Sequence, residues 1–162
     1  SQDHRSALET ARLLAKHGAF AAEPARSLVR GLLQSVLSDC HDQGQLVKVW
    51  QGLDASEQTM PEVAVQAASH LLNLGGEPVQ ARQWLLAAWE QMVQPEASAS
   101  PELQVRLVTT LERSLESIDD DWLARMEAAL ISRPRDANFQ YLAGMACLSR
   151  QLWGKAQQLL SV

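Results

Sequence analysis

The sequence predicts an all-α chain built from antiparallel helix pairs that stack into a solenoid. Three observations carry this reading. Apolar residues recur every three to four positions along almost all of the 162 residues, the period of a single helix face. No run of Val, Ile and Thr alternates with polar residues between turn signals, as a half-buried strand requires. The eight glycines and six prolines are too few for a many-turned sheet, and most fall where one periodic stretch gives way to the next.

Leu8, Ala11, Leu14 and Ala15 mark the first helix. Glu23-Pro24 interrupts the pattern, and Leu28, Leu32, Val36 and Cys40 resume it. Leu46, Val49, Trp50 and Leu53 follow a turn at Gln43-Gly44. Pro61 opens the next helix, where a missing N–H costs nothing, and Ala64, Ala67, Ala68, Leu71 and Leu72 form its apolar face. Gly75-Gly76 stops it. Glu77-Pro78 starts another, with Ala81, Leu85, Ala88 and Met92. The stretch from Gln94 to Pro101 reads as a loop on composition. Leu103, Leu107, Leu111, Leu115 and Ile118 then make a stripe at i, i+4 spacing. Asp119-Asp120-Asp121 precedes Trp122, Met126, Ala129 and Leu130, and such aspartates cap free N–H groups and suit the positive end of a helix dipole. Pro134 ends that helix. Two more are expected, one with Phe139, Leu142 and Ala146, the other with Leu152, Ala156, Leu159 and Leu160. The expectation is about seven to nine helices of about 10 to 17 residues, joined by short turns that make neighbours antiparallel.

Composition bounds the function. Hydrophobic residues make up 46% and charged residues 20%, and the mean hydropathy is -0.16, the proportions of an ordinary globular chain. The net charge of -5 argues against nucleic acid, whose binding needs clustered Lys and Arg to displace counterions, and equally against a polybasic membrane patch. Two distant cysteines, Cys40 and Cys147, read as reduced thiols and not as a disulfide framework. No apolar run approaches the roughly 18 to 20 residues that span a bilayer. The chain starts at Ser1-Gln2 and stops within a helical pattern. It is therefore expected to be a piece of a longer protein. Its C-terminal leucines, Leu159 and Leu160, are expected to be uncovered and to associate with another copy.

The helix pairs follow a period. With Gly144 at position 8 of a 34-residue tetratricopeptide (TPR) unit, Ala156 falls at position 20, and Pro134 at position 32 of the unit before. Small residues are needed at positions 8 and 20 because two helices cross closely there. Ser69, Leu72, Gly76 and Ala81 occupy positions 8, 11, 15 and 20 of an earlier unit. Trp122 breaks the register in the unit between, and the loop from Gln94 to Pro101 absorbs the surplus length. Gly44 falls close to one period before Gly76. Residues 1–58 are thus expected to form irregular N-terminal helices, and 59–162 degenerate TPR pairs, in one continuous right-handed superhelical solenoid. Gly44, Ser69, Gly76, Ala81, Pro134, Gly144, Trp153 and Ala156 are its expected repeat-packing positions.

Three segments go beyond the general pattern: Val63 to Leu72, the Trp-bearing Gln45 to Trp50, and Leu142-Ala143-Gly144 followed by Trp153-Gly154-Lys155-Ala156. Together they resemble the C-terminal half of the HemY family, bacterial TPR proteins associated with haem biosynthesis. The resemblance implies a membrane-anchored parent at the cytoplasmic face of the bacterial inner membrane and a protein partner from haem or porphyrin biosynthesis. A flavin-dependent oxidase that shares the name in some bacteria needs a Gly-x-Gly-x-x-Gly turn, which this sequence lacks.

No enzyme is expected. There is no Gly-x-Ser-x-Gly elbow, no phosphate loop and no His-Glu-x-x-His helix, the local motifs that position a nucleophile, a phosphate or a catalytic zinc. Cys40-His41 is too small a set for a four-ligand zinc site. No cofactor is expected, although a haem or porphyrin carrier is the alternative function, with His17, His41, His70, Tyr141 and Cys147 as the available axial ligand types. Trp84 and Trp89, five residues apart, point about 140° apart on a helix. Either both pack between repeats or one is exposed as a partner anchor. Arg82, Gln83 and Arg106 are of the polar type that lines a repeat groove. Arg82, Trp84, Trp89 and Arg106 are accordingly the candidate partner-binding residues.

Overall fold

The computed structural model describes residues 2–18, 22–97 and 99–160; the side chains at 2, 22, 153–158 and 160 lie outside that description. The described residues are all-helical: α1 (Gln2–Lys16), α2 (Ala22–Ser38), α3 (Gln43–Gln51), α4 (Ala55–Gln58), α5 (Pro61–Asn73), α6 (Pro78–Met92), α7 (Pro101–Arg113), α8 (Asp120–Ser132) and α9 (Ala137–Leu160). Starts are capped as the composition suggested. Asp42, Asp54, Ser100 and Asp119 each accept an N–H of the first turn, and Asp54 with Glu57 completes a capping box, which satisfies donors that the helix itself cannot. Proline opens α5, α6 and α7.

Two layers result. α2, α5, α7 and α9 lie side by side in one row, each packed on the next. Cross-helix bonds give their direction. Arg30 meets Glu62 and Ser38 meets Gln66 between α2 and α5, while Arg106 meets Gln66 and Arg113 meets Asn73 between α5 and α7. Tyr141 of α9 meets Glu112 of α7, and Ser149 of α9 meets Leu115 just past the end of α7. Contacts therefore advance together along both chains, and the four helices run parallel. α1, α6 and α8 pair with α2, α5 and α9 respectively. Between the layers runs one core, with Leu33, Leu46, Val63, Leu71, Leu85, Leu107, Leu111 and Leu142 wholly excluded from solvent.

Aromatic rings link successive pairs. Trp84 stacks on Trp50 at 4.8 Å between ring centres, while Trp89 meets Trp122 at 6.1 Å and Phe139 at 5.3 Å, edge to face. The 140° between Trp84 and Trp89 is thus used to reach two different neighbours. Both rings are buried. Of the two alternatives, packing between helix pairs is the one the structure shows, because α6 has aromatic neighbours on both sides, and neither ring is an exposed anchor.

The C-terminal pair is also corrected. Residues expected to form two helices, the first with Phe139, Leu142 and Ala146 and the second with Leu152 and Ala156, form one continuous helix, α9, 24 residues long. The stretch Cys147-Leu148-Ser149-Arg150-Gln151-Leu152 contains neither Gly nor Pro, so nothing in it ends a helix. Gly144 consequently does not sit at a close crossing. It is exposed, and a Cβ built there meets no atom within 4 Å. Trp153 and Ala156 lie outside the described side chains. Gly44 is not a turn between helices either; it lies in the first turn of α3, beside the Asp42 cap.

Among the other repeat-packing positions, Gly76 and Pro134 lie between helices and Ala81 in the core. Gly75 takes φ 82° in the turn after α5, and a Cβ on Gly76 would sit 2.5 Å from Leu71 Cδ1 and 2.9 Å from its carbonyl oxygen. Ala81 is fully buried. Ser69 lies half-buried on the row. Pro134 is exposed between α8 and α9, where its carbonyl accepts from Gln140 Nε2 at 2.6 Å.

Candidate functional site

The parallel row presents one polar face. On α5, Glu62, Gln66, Ser69 and Asn73 follow i, i+4, i+7, i+11 spacing, which keeps them in one line. α7 answers with Arg106, Val105, Thr109, Glu112 and Arg113, while its Leu103, Leu107 and Leu111 go to the core. The division follows from the i, i+4 leucine stripe: burying that stripe turns the polar positions of α7 outward.

Side chains from neighbouring helices bridge each junction of the row. Arg30 Nε lies 3.8 Å from Glu62 Oε2. Gln66 Nε2 donates to Ser38 Oγ at 2.7 Å and Gln66 Oε1 accepts from Arg106 Nη2 at 3.1 Å. Arg113 donates to Asn73 Oδ1 at 2.7 Å and to Ser69 Oγ at 3.3 Å. Tyr141 donates to Glu112 Oε1 at 2.6 Å, and this bond raises the phenol's pKa because it is to the protonated form. Most of these groups are open to water, so a partner can exchange hydrogen bonds with them at little desolvation cost. Val105 adds one half-exposed apolar side chain between Arg106 and Glu112.

Of the four candidate partner-binding residues, only Arg106 lies on this face. Trp84 and Trp89 belong to the aromatic chain inside. Arg82 is 2% exposed. Its guanidinium donates to the carbonyls of Ser114, Glu116 (3.1 Å) and Ser117 (3.2 Å) in the turn after α7. Burial lowers its pKa, but a guanidinium stays charged at any ordinary pH. The bond to Ser117 fixes a residue at φ 57°, the left-handed region that side chains disfavour. Arg82 therefore positions a loop and does not reach a partner. Gln66, Asn73 and Arg113 were not singled out by sequence reasoning. Their signal was available as the exposed complement of each apolar stripe.

The chemistry-bearing residues weighed for haem or metal are dispersed. His70 Nε2 lies 2.7 Å from the Cys40 carbonyl oxygen, and Cys40 is buried with its Sγ toward the Val36 carbonyl at 3.6 Å. His17, His41 and Cys147 are exposed and on separate elements. Among the described residues no three His, Cys, Asp or Glu side chains converge on a metal-sized space, and no helix is long and apolar enough to cross a membrane. No family model, no curated protein and no solved structure matches this chain.

Proposed function

We propose that this chain is a non-catalytic scaffold, a TPR-like solenoid that binds a protein partner along the polar face of α2, α5, α7 and α9. The observation that carries the reading is the run of side-chain bridges across all three junctions of the row. Stacked helices offer an extended surface to an elongated ligand. Side chains already held by their neighbours lose less rotamer freedom when a partner binds. The acidic balance of the chain favours a protein over nucleic acid. On the resemblance to the HemY family, the partner is a component of haem or porphyrin biosynthesis at the bacterial inner membrane.

Charge reversal on the face tests this. Affinity capture from bacterial membranes is compared between the natural chain and Arg106→Glu/Arg113→Glu. Both arginines are exposed, so the variant is expected to fold and to lose a discrete captured protein. Identical capture by both chains would remove the face from the binding reaction.

A further inference from the structure

α1 and α3 both pack on α2, and the space left between them is a cavity of about 430 Å³. Pockets that hold small molecules measure about 300–1,000 Å³. Its apolar part is Leu8 of α1, Val36 of α2 and Leu53 after α3, all three buried. Around them stand side chains that donate hydrogen bonds: Arg5 and Arg12 from α1, Gln45 and Lys48 from α3. Among the described residues, neither Arg5 nor Lys48 makes a side-chain hydrogen bond or an ion pair. Arg12 gives Nε and Nη2 to Glu57 at 2.7 Å each, which leaves Nη1 unused. Gln45 accepts the His41 N–H through Oε1 at 2.8 Å, which leaves its Nε2 to donate. Glu9 is the one carboxylate among the described residues that line the cavity.

Donors therefore outnumber acceptors, and the local charge opposes that of the chain, which is -5. Three cations against Glu9, with Glu57 behind Arg12, leave one net positive charge. A matching occupant has acceptor oxygens, one negative charge and an apolar body. A phosphate monoester carries about -1.5 to -2 and overfills that charge. We propose that this cavity binds a small monocarboxylic acid, its carboxylate met by Arg5, Arg12 and Lys48 and its apolar chain on Leu8, Val36 and Leu53. Guanidinium and ammonium groups bind carboxylates through charge-assisted hydrogen bonds. Glu57 already holds Arg12 in place, so less side-chain freedom is lost on binding. A free acid and the last residue of a peptide offer the same chemistry. None of these residues belongs to the polar face, so the proposal stands or falls independently of the partner reading.

Proton–nitrogen correlation spectra of the full labelled chain, titrated with straight-chain acids, test it. Octanoate is expected to shift the amides of Arg5 to Arg12 and of Gln45 to Leu53 saturably, with a Kd of about 0.1–1 mM. Affinity should rise about threefold per methylene from butyrate to octanoate as apolar surface is covered, and should fall with added salt. Hexanol should bind about tenfold more weakly than hexanoate. Arg5→Gln and Lys48→Gln, both at exposed sites, should each weaken octanoate about tenfold, and unchanged spectra of the free variants confirm folding. Glu9→Gln should tighten it about twofold by removing a like charge. Arg135→Gln, at an exposed site between α8 and α9, should leave it unchanged. N-acetyl-alanyl-leucine separates the two sources: binding at least as tight as octanoate's supports a peptide end as the ligand, and weaker binding supports a free acid. No saturable shift of these amides, or equal binding of hexanol and hexanoate, overturns the proposal. So does tighter binding of inorganic phosphate than of octanoate, or an affinity that the Arg5 and Lys48 changes reduce no more than Arg135→Gln does. Weaker octanoate binding by Glu9→Gln refutes the charge count that selects a monoanion.

Discussion

Replacing Arg82 with Met should destabilise the fold by about 3 kcal/mol. Three charge-assisted bonds disappear, each worth about 1.5–3 kcal/mol in a mutational series. They do not add. The carbonyls of Glu116 and Ser117 belong to exposed residues and can turn to water, whereas Ser114 is fully buried. One stranded carbonyl costs about 1–3 kcal/mol, and the left-handed Ser117 loses the bond that offsets its strain, of order 1 kcal/mol. Against this, Met keeps most of the apolar stem packed and avoids burying a charge, which recovers part of the loss. The net figure corresponds to a fall in Tm of about 6–12 °C for a domain of this size. Urea and thermal unfolding followed by tryptophan fluorescence measure it, because Trp84 lies two residues away on α6. A loss below about 1 kcal/mol would show that the turn after α7 holds itself and that the buried guanidinium is dispensable.

Further outcomes follow from particular contacts. Gly76→Ala should cost about 1–3 kcal/mol, since its Cβ meets Leu71 at 2.5 Å, whereas Gly144→Ala, mid-helix with open space around it, should gain up to about 1 kcal/mol; chemical denaturation separates the two. Arg12→Ala removes two 2.7 Å bonds to the buried Glu57 and should cost about 2 kcal/mol, with amide exchange rising first in α1. Asp54→Ala should cost about 1 kcal/mol at pH 7 through loss of the cap. Bonds from Ser56 and the Glu57 N–H lower the Asp54 pKa in the folded chain. Its contribution is therefore present above the unfolded carboxylate value near 3.9 and fades as pH falls through the lower folded one, so the variant and the natural chain should converge in stability only in acid. Hemin titration should give no saturable Soret shift, because His70 is engaged by the Cys40 carbonyl and the other ligand types lie apart; a stoichiometric shift lost in His70→Ala would overturn that.

Helix content and most boundaries were legible because they depend on local properties: the 3.6-residue period, proline at helix starts, and Gly75-Gly76 as a stop. The failures have physical causes. The repeat register, with Gly144 at position 8 and Ala156 at position 20, demanded a turn between two helices, but Cys147 to Leu152 holds no residue that breaks a helix, and local propensity prevailed. Trp84 and Trp89 were correctly read as pointing apart. Which directions led to solvent depended on what flanks α6, and that is a tertiary fact. Arg82 was misread because its partners are backbone carbonyls more than thirty residues on, and carbonyls leave no mark in a sequence. The polar face was recoverable in principle, since Gln66, Asn73 and Arg113 occupy the positions left when each apolar stripe is turned inward.

Site-specific photocrosslinking measures the partner-binding claim most directly. Val105 and Ile131 are both exposed apolar residues, the first in the middle of the polar face, the second on α8 in the other layer. A photoreactive phenylalanine at Val105, irradiated in bacterial membranes, should give one discrete protein adduct that Arg106→Glu/Arg113→Glu abolishes, while the same group at Ile131 should give none. Equal adducts from both positions, or an adduct at Val105 that the arginine variant leaves unchanged, would contradict it.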